Sequence, residues 1–215
     1  MMRRAYVVGK YGGDDYYTNW MECEVVDRIE DASFVVWTGG SDVTPSYYGR
    51  KAHPTTGSDP SRDRYELEMF KRTQELGLPS VGVCRGSQWI CSMAGNGSEL
   101  YQHVSHPYIH KIMTSTGKTL TCNSTHHQLM KPFALGDKVE ILAWAINDKG
   151  ENLSPYKYCE DDTNLLGDVD PEICYFPGIG LAYQPHPEML LDCKEEWAQE
   201  FIAYCRSLLD KYLDA

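Results

Sequence analysis

The sequence predicts an α/β fold built on a mainly parallel sheet. Short apolar runs alternate with longer stretches of helical period, the pattern of strands separated by crossover helices. Two of the strongest runs end at glycine-bearing turns, Trp37 into Gly39-Gly40 and Val83 into Cys84-Arg85-Gly86. The chain then closes on a long amphipathic helix.

The elements follow in chain order. Ala5-Tyr6-Val7-Val8-Gly9 reads as the first strand, Glu24-Val25-Val26 as a short one and Phe34-Val35-Val36-Trp37 as a strong one. Asp63 to Leu76 has helical period, with Tyr65, Met69, Thr73 and Leu76 on one face and Gly77 as a C-terminal stop. Ser80-Val81-Gly82-Val83 is a short buried strand, and Arg85 to Ala94 a helix ended by Gly95-Asn96-Gly97. Val139 to Ala145 is a further strand, and Glu172 to Phe176 pairs with Gly180 to Gln184 as a hairpin across Pro177-Gly178. In the last helix Trp197, Phe201, Tyr204, Cys205, Leu208 and Tyr212 repeat at helical spacing, a stripe that reads as packing. Asp192 with Glu195 resembles a capping box at its start. Residues 147–170, rich in Asp, Glu and Asn, read as a surface excursion. No repeat, linker or composition shift marks a second domain, so residues 1–215 are expected to form one domain.

Composition narrows the partners. The chain has 20 basic and 31 acidic residues and a net charge of -11, which argues against nucleic acid and anionic membrane surfaces. No run of about 18 apolar residues appears, and the polar stretch Tyr11 to Asn19 does not resemble a signal peptide, so a cytoplasmic location is expected. The eight cysteines contain no Cys-x-x-Cys pair. Most read as small buried hydrophobes rather than a disulfide or zinc framework.

Four segments carry chemistry. In Gly82-Val83-Cys84-Arg85-Gly86, a cysteine on a tight strand-to-helix turn would hold its sulfur clear of the backbone. The amides of the following helix favour a thiolate there, and the N–H of Arg85 is placed to stabilise an oxyanion. A small buried cysteine at a strand end fits the same spacing. In Gln184-Pro185-His186-Pro187-Glu188, residues two apart on an extended segment bring His186 and Glu188 to one side, as base and orienting carboxylate. Gly39-Gly40 after the Trp37 strand lets backbone amides approach a ligand, with no phosphate-loop pattern to support a nucleotide. In Asn123-Ser124-Thr125-His126-His127-Gln128, adjacent histidines are not expected to share a face, so at most one points into a pocket. With His103, His106 and His110 they lack metal-ligand spacing, and neither a metal nor a cofactor is expected.

In this order the segments resemble the class I glutamine amidotransferase superfamily, and most closely its γ-glutamyl hydrolase branch. The matching runs are Gly39 through Gly49, Asp63 with Glu66, Gly82 through Gln88, Leu100-Tyr101-Gln102, Asn123 through Gln128 and Gln184 through Glu188. The resemblance covers residues 34–190. It implies a flavodoxin-like three-layer sandwich, with Cys84 as nucleophile, His186 as base and acid, and Glu188 as its orienter. It further implies Gly40 and Arg85 as oxyanion donors, and Gly39, Gln88, His126, His127 and Gln128 around a γ-glutamyl group. Thr38 and Pro185 stand where the family usually has proline and an aromatic residue. The region before Gly39 is short, so a helix of the usual fold is expected to be reduced or absent.

The function that the resemblance implies is thiol-mediated hydrolysis of a γ-glutamyl amide, with a small γ-glutamyl amide or glutamine as substrate. Two alternatives share the fold. One is a glutaminase supplying ammonia to a separate ligase or synthetase, and the other is a binding protein without catalysis.

Overall fold

The computed structural model describes residues 2–9, 15–95, 99–104, 107–153 and 169–213. Among them the chain forms β1 (Arg4–Val8), β2 (Glu24–Val25), β3 (Phe34–Trp37), α1 (Pro60–Glu75), β4 (Ser80–Val83) and α2 (Arg85–Met93). It continues through β5 (Glu99–Tyr101), β6 (Ile109–Thr114), β7 (Thr119–Asn123), β8 (Leu129–Lys131) and β9 (Glu140–Ile146). A hairpin of β10 (Pro171–Phe176) and β11 (Gly180–Tyr183) then leads to α3 (Glu196–Leu213).

Nine strands make one sheet in the order β2-β1-β3-β4-β11-β10-β9-β6-β7, and β5 pairs with β8 apart from it. Pairing is parallel from β2 to β11 and antiparallel from β11 to β7. Only β10 and β6 therefore run against the other strands, and the sheet is mixed with parallel strands in the majority.

Strand β3 shows how two faces are covered. All four of its side chains are buried, with Phe34 and Val36 packed beside Phe201, Cys205 and Leu209 of α3. Val35 and Trp37 pack on the other side with Phe70 of α1 and Trp89 of α2. A strand buried on both faces reads as a continuous apolar run, which is why it was legible. The result is three layers: α1 and α2, the sheet, then α3.

Among the described residues the second outer layer is completed without a first crossover helix. The described residues between β1 and β3 contain only turns, β2 and a single 3-10 turn at Ile29–Asp31. Trp20 and Met21 are fully buried in this segment, and Trp20 meets Tyr183 edge-on with ring centroids 5.4 Å apart. Two large side chains thus cover sheet area that a helix would otherwise cover, as the short sequence before Gly39 predicts.

Several expectations need correction. Helix α1 begins at Pro60 because the Asp59 side chain caps the amides of Ser61 and Arg62. Of the face read as Tyr65, Met69, Thr73 and Leu76, Thr73 is buried and Met69 and Leu76 pack against the core, but the fully buried face is set one residue round the helix. Tyr65 is half exposed, and the buried residues are Arg62, Asp63, Glu66, Phe70 and Thr73. Helix α3 starts at Glu196 with the Glu195 carbonyl accepting from Ala198 and Gln199, so Asp192 lies outside it. The β6–β7 and β5–β8 pairs were not foreseen. The turn residues Asn96 and Gly97, and most of the 147–170 excursion, lie outside the described residues. No helix among the described residues is long and apolar enough to cross a membrane.

Candidate active site

Strand β4 runs straight into Cys84, whose φ of 53° and ψ of -111° put a non-glycine residue in a sparsely populated backbone region. Helix α2 starts at the next residue, and the Cys84 carbonyl accepts from the amides of Ser87 and Gln88. The turn is possible because of the flanking glycines. A Cβ on Gly86 would overlap the carbonyl of Trp37 on β3, and one on Gly82 would overlap the carbonyl of Gly86. The elbow inferred from sequence is therefore present, and its glycines allow α2 to sit directly on β3 and β4.

His186 and Glu188 meet beside it. His186 Nδ1 lies 2.7 Å from Glu188 Oε1, and both residues are buried. The reason differs from the one read in sequence. Glu188 stands in a 3-10 turn, Pro187–Leu190, with His186 just before it, so the turn, not strand alternation, brings the two together. Asn123 at the end of β7 fixes the pair from below. Its Nδ2 donates to the His186 carbonyl and its Oδ1 accepts from the His186 amide, each at 3.0 Å. Replacing Asn123 with alanine is expected to lower kcat about 100-fold with KM little changed, since misplacing a catalytic group by about 1 Å costs that much. Asn123→Asp retains the acceptor for the His186 amide and should fall between the two; steady-state kinetics on all three proteins checks the order.

Burial disfavours a charged His186 imidazole, but hydrogen bonds to Cys84 and Glu188 outweigh it and raise its pKa to about 10. At neutral pH the ring is then an imidazolium. His186 Nε2 lies 2.7 Å from the Thr125 hydroxyl and also faces the sulfur. Because the folded pKa lies above the ordinary 6.5, the folded state holds a proton that the unfolded chain has lost between these values. The stability contribution is complete below pH 6.5 and vanishes as pH rises through about 10. Denaturant melts across that window are expected to show stability falling with pH, and His186→Gln should flatten the slope.

The glycine loop after β3 closes the other side. Gly40 has a φ of 137°, and a Cβ on Gly39 would lie 3.0 Å from the Tyr17 hydroxyl and 3.5 Å from His186 Cε1. Burial, then the charges of Glu188 and Cys84, push the Tyr17 hydroxyl up to about 12. A buried ionic network holds this loop. Arg62 donates to the Gly39 carbonyl at 2.9 Å, the Thr38 carbonyl at 3.1 Å and Glu66 at 2.6 Å. The Arg85 guanidinium pairs with Glu66 and Asp63, and Asp63 accepts from the Thr44 amide at 3.0 Å. The Arg85 side chain thus points away from the sulfur, leaving its backbone at the elbow.

Cys84, His186 and Gly40 open on a cavity of about 290 Å³ that is also lined by Gln88, His126, His127 and Gln128. Gln88 Nε2 donates to the Gln128 carbonyl at 2.9 Å, and His126 Nδ1 lies 2.8 Å from the same oxygen. His127 Nε2 lies 3.0 Å from Asp42, and that hydrogen bond raises its pKa. Both histidines therefore border the cavity, contrary to the expectation of one at most. Residues 124–128 belong to neither strand nor helix, so no regular alternation separates them. The Gln128 carboxamide is buried with neither its nitrogen nor its oxygen hydrogen-bonded among the described residues.

The other histidines do not gather around a metal in the way considered from sequence. His103 stacks on His53 with ring centroids 5.0 Å apart, and His106 lies outside the described residues. His110 instead meets Cys122 and Glu172 inside the sheet's antiparallel half. Sequence reasoning missed Asn123, Thr125 and Tyr17 as neighbours of His186, and Arg62 as the support of the glycine loop. Of these, only Asn123 stood at a motif position.

The family model described as Peptidase C26 matches residues 21–119. The "Putative glutamine amidotransferase Rv2859c" of Mycobacterium tuberculosis is 30% identical over 174 residues, 76% of this chain and 53% of that protein. A glutamine amidotransferase-like protein of Lactococcus lactis subsp. cremoris is 33% identical over 125 residues, 47% of this chain and 65% of the relative. The chain thus spans about half to two thirds of the length of these curated relatives. Among solved structures, a glutamine amidotransferase from Thermotoga maritima superposes with a TM-score of 0.65 at 12% identity over 100% of both chains. PurLQS from the same organism gives 0.61 at 17% identity, over 98% of this chain and 99% of that one. The fold is shared with both, and the sequence is similar to the Peptidase C26 family and to glutamine amidotransferase-like relatives.

Proposed function

We propose that the protein hydrolyses γ-glutamyl amide bonds through a thioester on Cys84. The observation that carries this reading is the meeting of a strained Cys84 with the His186–Glu188 pair at the edge of an open cavity. The sulfur attacks the γ-carbonyl carbon, and the carbonyl oxygen becomes an oxyanion facing the amides of Gly40 and Arg85. As the tetrahedral intermediate collapses, the C–N bond breaks and His186 gives its proton to the departing amine. Water then attacks the thioester, His186 takes its proton, and glutamate leaves as the thiol is restored. Glu188 holds the ring in the orientation that both proton transfers need.

The Gln128 carboxamide supports the choice of a glutamyl group. Its oxygen accepts from an α-ammonium and its nitrogen donates to an α-carboxylate, pairings that a buried polar group needs. Gln88 and His126 fix the backbone from which it projects, while Gly39, by lacking a side chain, keeps the approach to His186 open. His127, with its proton affinity raised by Asp42, lies on the same cavity wall. In this reading neither metal nor cofactor takes part.

A second reading has the same chemistry deliver ammonia to a separate ligase or synthetase, and the fold shared with PurLQS supports it. Purified protein, incubated without a partner with glutamine and a panel of γ-glutamyl amines, separates the two. Release of larger amines along with glutamate supports the free-standing hydrolase. Turnover of glutamine alone supports the glutaminase, and no turnover of any substrate by folded protein defeats both.

A further inference from the structure

We propose that His110, Cys122 and Glu172 form a binding site for a divalent transition-metal ion of the zinc class, joining three strands of the antiparallel half-sheet. The site stands apart from Cys84 and does not depend on the proposed reaction.

The strands bring these residues together deliberately. His110 and Cys122 are directly paired across β6 and β7, so their side chains leave the sheet on one face. Between β6 and β10 lies β9, whose fully buried Ala145 is the register partner of Ile112. Ile112 shares the face of His110, so only a methyl group stands where a larger side chain would separate the strands. On β10, Pro171 pairs with Trp144 and Ile173 with Ala143, leaving Glu172 as the extra residue of a bulge. A bulge re-aims a side chain, and here the carboxylate reaches His110.

The donor atoms suit one small ion. His110 Nε2 lies 2.9 Å from Glu172 Oε1 and 3.3 Å from Cys122 Sγ, and all three donor atoms lie within 4.8 Å of one another. A tetrahedral zinc with bonds of about 2.0 Å to N and O and about 2.3 Å to S needs edges of about 3.3–3.5 Å. The two edges that meet at His110 therefore need to open by only a few tenths of an ångström, and the Cys122–Glu172 edge, within 4.8 Å, closes around the ion. A thiol and a carboxylate both converge on one ring nitrogen, which has a single in-plane proton or lone pair and cannot serve both. An ion between them would take one donor atom from each residue. Mixed N, S and O donors select zinc or its neighbours over calcium or magnesium. Binding transfers the Cys122 thiol proton to solvent and leaves a thiolate on the metal. A depression of about 300 Å³ bordered by Pro107, Ile146 and Asp148 reaches His110 from outside. Such an ion would brace the triad's frame, because Asn123 follows Cys122 and the Glu172 carbonyl accepts from the Gln184 amide at 2.8 Å.

The test is cobalt(II) titration of the chelator-treated full chain carrying Cys84→Ser, which removes the other thiol beside a histidine and a carboxylate. One equivalent of cobalt is expected to give a thiolate-to-cobalt charge-transfer band and the intense visible bands of a tetrahedral ion. Adding Cys122→Ala should abolish the charge-transfer band and weaken cobalt binding by about 100-fold or more. Should that protein fail to fold, His110→Gln in the same background gives the same reading. Zinc should likewise raise the Tm of Cys84→Ser and not that of the folded ligand variant. Absence of the cobalt spectrum in folded Cys84→Ser, its survival after Cys122 is replaced, or its appearance only with Cys84 intact overturns the proposal. None of these readouts involves amide hydrolysis.

Discussion

Cys84→Ala is expected to lower amide hydrolysis by about 10⁴-fold or more, the scale on which loss of a nucleophile disables a triad. The fold should survive, because alanine fits the space and the elbow is formed by Gly82 and Gly86 on either side. What is lost is the covalent route. The φ of 53° at residue 84 is strain that the surrounding packing over-determines, and alanine inherits it without using it. Cys84→Ser keeps the geometry but presents a hydroxyl, a far weaker nucleophile than a thiolate at neutral pH, and removes the sulfur that helps raise the His186 pKa. It should therefore be nearly as inactive as alanine. Brief acid quenching of the wild-type protein with substrate should trap a glutamyl adduct on the peptide holding Cys84, seen by mass spectrometry as a mass increase absent from both variants. An unmodified peptide during rapid turnover, or retained activity in Cys84→Ala, would sink the thioester route.

The sequence made the centre of this site legible because its chemistry is local. An elbow needs a strand, a nucleophile and small neighbours within a few residues, and Val83 through Gly86 hold them together. His186 and Glu188 are likewise two residues apart, although a 3-10 turn rather than strand alternation joins them. The central strands were legible because burial on both faces makes an uninterrupted apolar run. The outer strands were harder. In β6 the buried positions are His110, Ile112 and Thr114, an alternation hidden by two polar side chains. Helix α1 misled for a related reason. Its apolar residues suggested one face, while its inward face is occupied by Arg62, Asp63 and Glu66. Ion pairs that Arg85 makes 19 and 22 residues away have no periodic signature, and neither does the meeting of residues 110, 122 and 172.

Glu66→Ala is expected to be the most destabilising of the single changes considered. Glu66 is fully buried and its carboxylate is shared by two guanidiniums, with Arg62 at 2.6 Å on one oxygen and Arg85 on the other. With Asp63 the four residues balance at zero net charge, so each buried ion is compensated. Removing Glu66 leaves two buried cations facing one carboxylate, and breaking a buried pair in this way costs about 3–5 kcal/mol. For a chain of this size that corresponds to a fall in Tm of about 6–20 °C. Glu66→Gln preserves the shape and one acceptor but not the charge, and should lie between. The loss should also reach the chemistry, because Arg62 holds the Thr38 and Gly39 carbonyls and Arg85 begins at the elbow itself. Both amides proposed to face the oxyanion depend on this network, so kcat should fall at temperatures where the variant is still folded, with KM less affected. Calorimetry and kinetics on the same preparations separate the effects. A Tm within about 2 °C of wild type, corresponding to less than about 1 kcal/mol, would mean that α1 and α2 are held together by their apolar contacts and not by these charges.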